Sequence, residues 1–512
     1  MSITLQRLLE GIAAVPIKDT GVEDLTLDSR AVREGSLFFA LPGRSAHGLE
    51  FAAEAAARGA RAVLWEPIAG AAPPVLPATV CAAAVPELKG LVGRIADRFF
   101  GGPSSHLRIT GITGTNGKTT CAYLLAQCLD RLGSKAAYIG TIGWGRTAAL
   151  APPTLTTPDV VTLHRELAQL RQDGVRDVAM EVSSQALDQD RISAVRFHTA
   201  AFTNLSRDHL DYHGTMAAYG GAKARLLTLP GLAHVVVNVG DAFGREFARN
   251  YAGDALLTAV WFGAREAAAQ PAEPAKSAGC PAGAPPERTL WTKGVTVDLR
   301  GISFDIAGSF GTAAVQTRLL GRFNAENSLI VIACLLSLGA SLPEAVRALA
   351  ECTSPPGRME VIDARARERP MAVVDYAHTP DALAKALATL REHCAGELWC
   401  VFGCGGDRDP GKRPLMGAVA DQLADEIIVT DDNPRSENPQ DIVRDIACGI
   451  KSRKMRVIHD RAEAIGAALK EARPGDVVLI AGKGHEDYQI YGDTRRSFSD
   501  RCEAQRHVGA AA

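Results

Sequence analysis

The sequence has no excess of either charge and no long hydrophobic run. Its 56 Lys and Arg residues nearly balance 58 Asp and Glu residues, which gives a formal net charge of −2. Such a balance gives no reason to expect a nucleic acid or an anionic membrane surface as a partner. The longest apolar run, residues 329–336, is too short to span a bilayer. We therefore expect no nucleic-acid binding and no membrane insertion.

The sequence also lacks paired cysteines and a signal peptide. Its 11 cysteines are an odd number, and no two of them form a C-x-x-C pair. This pattern favours reduced thiols in the cytosol. The first residues, MSITLQRLLEG, mix polar and acidic side chains with apolar ones and have no signal-peptide core. We expect a cytoplasmic protein.

A glycine-rich segment, GITGTNGKTT at residues 111–120, is the most informative stretch of the chain. It follows an apolar run at 107–112 and precedes a predicted helix at 121–132. A loop between a strand and a helix binds phosphate when its backbone N–H groups turn toward the anion. Gly114 and Gly117 allow the backbone angles that this turn requires. The segment therefore predicts a phosphate-binding loop.

Two side chains in this loop have the types that nucleotide chemistry needs. Lys118 would reach the β- and γ-phosphates, and the hydroxyl of Thr119 would ligate Mg²⁺. The loop departs from the commonest pattern at Ile112, where that pattern has glycine. Taken alone, the loop fits a ligase, a phosphotransferase or ATPase, or a nucleotide-binding protein without amide chemistry.

The length of 512 residues predicts about three domains. Residues 1–104 carry no phosphate loop, and 28–41 and 51–65 indicate a small α/β domain with buried strands. Strand and helix patterns then alternate, which is typical of a mainly parallel sheet covered by helices. We predict a central domain at 105–353 and a C-terminal α/β domain at 354–512.

Residues 264–288 differ from the rest of the central domain. They are rich in Ala and Pro and have no hydrophobic periodicity. Such a composition offers little to pack into a core. We predict a mobile surface insertion here.

Polar clusters follow several predicted strands, at the edge where parallel sheets bind ligands. Each of them alone could be a solvated turn. Together and in order they resemble the Mur ligase family of ATP-dependent amide-bond-forming enzymes, from residue 27 to residue 490. The clusters that carry the resemblance are GTNGKTT, EVSS, TNLSRDHLDYHG, YGGAK, GRFNAEN, PGRME, DYAHTP, GGDRD, DNPR and GKGHE.

The resemblance implies a three-domain α/β architecture and a reaction. A small N-terminal α/β domain would hold the UDP end of the substrate, a central P-loop domain with a parallel sheet would bind ATP, and a C-terminal Rossmann-like domain would supply the amino acid. The implied reaction adds meso-2,6-diaminopimelate to UDP-N-acetylmuramoyl-L-alanyl-D-glutamate in peptidoglycan synthesis, in a monomeric enzyme. A lysine-adding relative and a ligase similar to folylpolyglutamate synthase remain alternatives.

The resemblance also assigns site residues for each substrate. ATP would contact Gly114, Thr115, Asn116, Gly117, Lys118, Thr119, Thr120, Asn324 and Arg358. The UDP-muramoyl-peptide would contact Leu27, Ser29, Arg44, Ser45, Ala46, Thr156, Thr157, Ser183, Gln189 and Arg191. Diaminopimelate would contact Arg408, Asp432, Asn433, Pro434, Arg435, Gly482 and Glu486.

The implied catalytic residues are Lys118, Glu181, His209 and Lys223, the last carried as a carbamate. A carboxylate is a poor acyl donor, so it first takes the γ-phosphoryl group of ATP, and the amine then attacks. Mg²⁺ would be held by Thr119, Glu181, His209 and the Lys223 carbamate. Oxygen ligands and the absence of an H-E-x-x-H motif favour Mg²⁺ over zinc.

Arg435 is the predicted selector of the amino acid. Pro434 stiffens the turn before it, and a guanidinium binds a carboxylate through two parallel hydrogen bonds. Meso-diaminopimelate has a second carboxylate where lysine has only an ammonium group. We expect Arg435 to attract this carboxylate of diaminopimelate and to repel the ammonium group of lysine.

Overall fold

Short apolar runs in this sequence form the strands of mainly parallel sheets, and the segments between them form helices. The computed structural model describes residues 2–43, 46–68, 73–253, 255–261, 288–298, 300–362, 369–452 and 455–509. The chain divides into two compact units. The first contains residues 1–118 and 133–235, and the second contains residues 119–132 and 236–512.

The first unit begins with a small parallel sheet whose strands follow one another in the chain. Its order is β3-β4-β5-β6, and all neighbours are parallel. The elements are β1 (Ile3–Thr4), α1 (Leu5–Leu9), β2 (Gly21–Val22), β3 (Asp24–Thr26), β4 (Ser36–Ala40), α2 (Ala52–Ala57), β5 (Ala62–Trp65), β6 (Cys81–Ala84) and α3 (Leu88–Phe99). Side chains of β4 alternate between two apolar clusters, Leu37 and Phe39 in one and Phe38 and Ala40 in the other, as the two-residue period of a strand requires.

A second sheet of this unit carries the phosphate loop. The order of its strands is β10-β9-β8-β11-β7-β12, parallel from β8 to β12 and antiparallel at β9 and β10. The elements from residue 108 to residue 238 are β7 (Arg108–Thr113), α4 (Lys118–Arg131), β8 (Ala136–Gly140), β9 (Gly143–Arg146), β10 (Ala149–Ala151), α5 (Val160–Gln172), β11 (Asp177–Glu181), α6 (Ser184–Asp188), β12 (Thr199–Phe202), α7 (Leu210–His213), α8 (Met216–Leu227) and β13 (His234–Asn238). Of these, α4 belongs to the second unit from Thr119 onward, and β13 belongs to it from Val236 onward.

The second unit begins with a β-rich segment. Strand β14 pairs with β15 in parallel, and β15, β16 and β17 pair antiparallel. A long apolar helix, α10, follows them. The elements are α9 (Ala242–Asn250), β14 (Ala255–Trp261), β15 (Arg288–Asp298), β16 (Gly301–Gly308), β17 (Gly311–Thr317), α10 (Phe323–Ser337) and α11 (Leu342–Ala350).

The second unit ends in a six-stranded sheet with helices around it. Its order is β18-β19-β23-β20-β21-β22, antiparallel only at β18. The elements are β18 (Glu360–Ile362), β19 (Met371–Asp375), α12 (Pro380–His393), β20 (Leu398–Phe402), α13 (Lys412–Leu423), β21 (Glu426–Val429), α14 (Pro439–Ala447), β22 (Met455–Val457), α15 (Arg461–Glu471), β23 (Val477–Ala481), β24 (Tyr488–Tyr491), β25 (Thr494–Ser497) and α16 (Asp500–Gly509). Alternate residues of β20 join different apolar clusters on the two faces of the sheet.

The prediction of an α/β protein with mainly parallel sheets is confirmed. The bounds of the three predicted domains stay a prediction. The predicted insertion at 264–288 lies outside the described residues except for its last residue. Strands β9, β10 and β15 to β17 were not predicted. In the described part of the chain, no helix has both the length and the apolar character needed to cross a membrane.

Candidate active site

The phosphate loop lies between β7 and α4, as the sequence predicts. Gly114 has φ +148° and Gly117 has φ +84°, backbone conformations that other residues rarely adopt. A side chain at Gly114 would collide with the Thr203 hydroxyl and with the backbone of Asn204. Glycine at this position is therefore required both by the backbone angle and by the close approach of the chain after β12.

Hydrogen bonds hold the loop against the carboxyl end of β12. The Thr115 N–H donates to the Asn204 carbonyl at 2.8 Å, and the Asn116 N–H donates to Asn204 Oδ1 at 3.0 Å. The Thr203 hydroxyl donates to the Asn116 carbonyl at 2.6 Å. The conformation of the loop is thus held by hydrogen bonds within the protein. The other two predicted loop residues, Thr119 and Thr120, lie in the first turn of α4.

Two lysines converge on one carbonyl of this loop. Lys118 Nζ donates to the carbonyls of Gly114 at 2.9 Å and Thr115 at 2.8 Å. Lys223 Nζ donates to the same Gly114 carbonyl at 2.7 Å and lies 4.4 Å from the centre of the Tyr219 ring. Lys223 is only 1% exposed. Its burial, and then the charge of Lys118, lower the pKa of the Lys223 amine to about 6.

Glu181 ends β11 as a buried carboxylate, with 1% exposure. It accepts hydrogen bonds from the Thr141 N–H at 2.9 Å, from the Thr141 hydroxyl at 3.3 Å and from the Tyr138 hydroxyl. The Thr157 hydroxyl donates to the Glu181 carbonyl at 2.9 Å, and Thr156 shares a hydrogen bond of 3.2 Å with Thr141. The carboxylate is therefore held in one orientation.

The residues predicted for the muramoyl-peptide form a connected group. The Ser183 N–H donates to Thr157 Oγ1 at 3.1 Å, and Arg191 Nη1 donates to the Thr157 carbonyl at 3.0 Å. Arg191 Nε also donates to Gln189 Oε1 at 3.0 Å, and Gln189 Nε2 donates to the Tyr212 hydroxyl at 3.0 Å. Burial lowers the pKa of the Arg191 guanidinium. Residues 156 to 191 thus supply one polar surface beside Glu181.

The two histidines of the predicted metal region have different surroundings. His209 has a left-handed backbone, φ +51°, and its Nε2 lies 3.5 Å from Asp208 Oδ2. His213 Nε2 lies 3.0 Å from Ser184 Oγ, and burial is the main cause that lowers the pKa of its imidazole. The ring centres of His209 and Tyr219 are 6.1 Å apart. Within the described ranges, no three His, Cys, Asp or Glu side chains are grouped so that they alone would hold a metal ion.

A cavity of ≈ 690 Å³ opens beside the N-terminal sheet. Three of the residues predicted for the UDP group, Leu27, Ser29 and Ala46, line it. The other two, Arg44 and Ser45, lie outside the described residues.

Two residues of the second unit, Asn324 and Arg358, are predicted to contact ATP, and the side chains of both contact other protein groups. Asn324 is 3% exposed, and its Nδ2 donates to the Leu320 carbonyl at 2.7 Å. Its Oδ1 accepts from Asn327 Nδ2 at 2.7 Å. The guanidinium of Arg358 lies 4.8 Å from the centre of the Tyr376 ring.

Two arginines predicted for the amino acid lie beside the loop after β20. Arg435 has φ +53°, and its Nη1 donates to the Gly406 carbonyl at 2.7 Å. A side chain at Gly405 would meet both Arg435 Nη1 and Arg408 Cγ, so the two arginines flank the same glycine. Pro434, which precedes Arg435, is buried.

The other residues predicted to contact the amino-acid substrate surround Lys483. The sequence patterns assigned no role to this lysine. It contacts Asp432, Asn433 and Glu486. Gly482 has φ +117°, and a side chain there would lie 3.0 Å from Asp432 Oδ2. The sequence signal for Lys483 is its position inside the polar cluster that follows β23.

Three more residues that contact predicted site residues were missed: Tyr138 and Thr141, which contact Glu181 in the first unit, and Tyr376, which contacts Arg358 in the second. Tyr376 lies in a polar cluster that the sequence analysis did single out, DYAHTPD. Tyr138 and Thr141 belong to a strand and turn without such a cluster. Their role depends on the pairing of β8 with β11, which the local sequence does not reveal.

Family models match most of the chain. A model described as Mur ligase family, catalytic domain, matches residues 22–100. A model of the Mur ligase middle domain matches residues 112–335, and one described as Mur ligase, glutamate ligase domain, matches residues 357–484.

Individual proteins match over nearly the full length. A UDP-N-acetylmuramoyl-L-alanyl-D-glutamate--2,6-diaminopimelate ligase of Alkalilimnicola ehrlichii is 46% identical, covering 96% of this chain and 95% of the relative. One of Pseudomonas aeruginosa is 44% identical, with 96% of each chain covered. A solved structure of an enzyme of the same name is 34% identical with a TM-score of 0.70, covering 100% of this chain and 99% of the other.

Proposed function

Because this chain belongs to the Mur ligase family, we propose that it is an ATP-dependent ligase that adds meso-2,6-diaminopimelate to UDP-N-acetylmuramoyl-L-alanyl-D-glutamate. The reaction is a step of peptidoglycan and cell-wall synthesis. The observation that carries the proposal is the match of 46% identity over 96% of the chain to a ligase named for these two substrates. We also propose a cytoplasmic monomer with domains at 1–104, 105–353 and 354–512.

The chemistry has two steps. A carboxylate of the D-glutamyl residue attacks the γ-phosphorus of ATP, ADP leaves, and an acyl phosphate forms. The amine of diaminopimelate then attacks the acyl carbon, phosphate leaves, and the nitrogen loses a proton. Catalysis of such transfers is mostly positioning and charge neutralisation. The Lys118 ammonium would supply that neutralisation at the phosphates, together with loop N–H groups other than those of Thr115 and Asn116, which donate to Asn204.

Mg²⁺ fits the residues of the first unit. Glu181 is a carboxylate held by hydrogen bonds from Thr141, and oxygen is the ligand atom that Mg²⁺ prefers. Because the described residues contain no complete group of metal-ligating side chains, phosphate oxygens and water would complete the coordination. Bound Mg²⁺ would neutralise the charge that develops on the phosphates. Glu181, His209 and Lys223 are the proposed ligands, and the Thr119 hydroxyl remains the fourth predicted one.

Lys223 is proposed to act as a carbamate. Its neutral amine adds CO₂ and releases a proton, and the product is an anion. A pKa of about 6 leaves the amine mostly neutral at neutral pH, which the addition requires. The nearby Lys118 ammonium, which disfavours a second cation, would pair with an anion. Carbon-13 NMR of the active enzyme in labelled bicarbonate should give a carbamate signal that Lys223→Met lacks. An unmodified amine in the active enzyme would contradict this assignment.

The UDP group is proposed to bind in the N-terminal cavity. This is supported by the cavity's size and by the residues Leu27, Ser29 and Ala46 that line it. The peptide part would extend over the polar surface formed by residues 156, 157, 183, 189 and 191. Ser29→Trp would fill the cavity. It should raise KM for UDP-N-acetylmuramoyl-L-alanyl-D-glutamate and leave KM for ATP unchanged.

Selection of diaminopimelate is proposed to rest on Arg435, with Arg408 beside it. The contact of Arg435 with the Gly406 carbonyl fixes the direction of its guanidinium, which can then bind the distal carboxylate. A site built for one polar group rejects analogues that lack it by about 10⁴. The measurement is kcat/KM for diaminopimelate and for lysine in wild type and Arg435→Ala. Undiminished discrimination in the variant would remove Arg435 as selector.

One assay separates the proposed ligase from other nucleotide enzymes. ADP release should need both UDP-N-acetylmuramoyl-L-alanyl-D-glutamate and diaminopimelate. Release without an amine would indicate an ATPase, and release with lysine in place of diaminopimelate would indicate a lysine-adding ligase.

A further inference from the structure

A fully buried lysine contacts the residues of the second unit that are predicted to bind the amino-acid substrate. Lys483 is 0% exposed. Its Nζ lies 3.1 Å from Asn433 Oδ1, 3.2 Å from Asp432 Oδ1 and 3.4 Å from Glu486 Oε2. A buried ammonium is costly unless acceptors surround it. Three acceptors converge on this one, so the lysine and its partners form a single buried polar group.

Lys483 determines how the Asn433 amide is oriented. Asn433 Oδ1 accepts from Lys483 Nζ and also from the Ile490 N–H at 3.0 Å. With its oxygen held by two donors, the amide must present its Nδ2 on the other side. Nδ2 donates to Glu486 Oε2 at 3.0 Å. A flipped amide would place its NH₂ group against an ammonium and an N–H, and its oxygen against the Glu486 carboxylate, so all three of its hydrogen bonds would be lost.

The side chain of Lys483 is less exposed to solvent than those of its two acidic partners. The side chain of Glu486 is 20% exposed, that of Asp432 is 9% exposed, and that of Lys483 is 0% exposed. An amino acid arriving from solvent would meet Glu486 first and would not touch the lysine. Two carboxylates share the one ammonium, so the group keeps one net negative charge. That charge suits an incoming ammonium group.

A second buried cation nearby is already neutralised. Arg461 binds Asp500 through two hydrogen bonds of 2.6 and 2.7 Å, and both side chains are fully buried. Asp432 and Glu486 act on Arg461 only as weaker charges than Asp500, whereas Lys483 contacts both of these carboxylates directly.

We propose that Lys483 is a positioning residue that holds Glu486, both directly and through the Asn433 amide, in the orientation that binds an ammonium group of the amino-acid substrate. The proposal rests on the proposed function, since it takes diaminopimelate as that substrate. Lys483 acts through its neighbours and does not contact the reacting atoms.

The test compares KM values in the purified full-length enzyme. Lys483→Met should raise KM for diaminopimelate by about ten- to hundredfold, which is the range for loss of one charge-assisted hydrogen bond. KM for ATP and for the nucleotide-sugar peptide should stay unchanged. Arg495→Met is the matched control, because both Lys483 and Arg495 lie over the Tyr488 ring, at 5.5 and 4.0 Å from its centre, but Arg495 is 66% exposed. It should leave all three KM values as in wild type.

A second variant covers the case in which Met prevents folding. Lys483→Gln keeps a hydrogen-bond donor without the charge and should raise the same KM by a smaller factor. The positioning role is overturned if KM for diaminopimelate does not change. It is also overturned if all three KM values and the melting temperature change together, or if neither variant folds, because each result describes a purely structural lysine. A wild-type enzyme that does not use diaminopimelate would instead refute the proposed function.

Discussion

At the scale of single residues, Lys118 is the side chain whose removal should separate chemistry from folding. Its ammonium contacts loop carbonyls at 2.8 and 2.9 Å, and it would turn to the phosphates of ATP. Lys118→Ala should lower the rate of ADP release at saturating ATP by about 10²–10³ and keep the melting temperature. Lys89→Ala, at an exposed lysine of α3, is the control. Near-normal turnover in Lys118→Ala would show that the loop does not bind the reacting phosphates.

Lys223 should also produce a measurable pH dependence of stability. Its pKa is lowered from 10.5 to about 6, so between these values the unfolded chain binds a proton that the folded chain does not. Stability therefore rises with pH across this window. In CO₂-free buffer, the free energy of unfolding of wild type relative to Lys223→Met should increase from about pH 7 to about pH 9.5. A constant difference would mean that the buried amine keeps its ordinary pKa.

At the scale of an element, helix α5 contains a buried acid with the opposite pH dependence. Burial raises the pKa of Glu166 from 4.5 to about 8, and its Oε2 atom has no hydrogen-bond partner among the described residues. The folded protein keeps a proton that the unfolded chain loses, so stability falls as pH rises from about 4.5 to about 8. Glu166→Gln should remove this fall and be more stable than wild type above pH 8. The measurement is urea unfolding across this range. Parallel curves for the two proteins would contradict the prediction.

The strands that the sequence predicts well are buried on both faces. The apolar runs in the sequence predict strands at 371–375, 398–402 and 477–481, and β19, β20 and β23 have these bounds. β9 and β10, with sequences GWGR and ALA, are short and have no such run. They exist because β8 offers a free edge for antiparallel pairing. Local pattern therefore predicts central strands and misses strands that depend on a neighbour.

The same distinction applies to the site. Gly114, Lys118 and Glu181 lie in local motifs, so their positions follow from the sequence pattern. Lys483 lies some 50 residues from its partners Asp432 and Asn433 (separations of 51 and 50). Its contact with them depends on the sheet placing β23 on one side of β20 and β21 on the other, which no local pattern encodes.

At the scale of the whole molecule, residues 264–288 are predicted to be dispensable. The segment is rich in Ala and Pro and has no apolar periodicity, so it offers little to a core. Replacing it with a short Gly/Ser linker should change the melting temperature and the rate of ADP release little. A large loss of either would identify a packed element or a lid.

The strand order of the C-terminal sheet has a consequence for how the chain folds while the ribosome is still making it. β23 is inserted between β19 and β20, although both are made earlier. A nascent chain that ends before residue 477 therefore holds two strands whose shared partner has not yet emerged. Unpaired strand edges of this kind favour aggregation. The strand that closes this gap leads directly into Gly482 and Lys483, so the insertion of this strand also brings together the residues proposed to bind the amino acid.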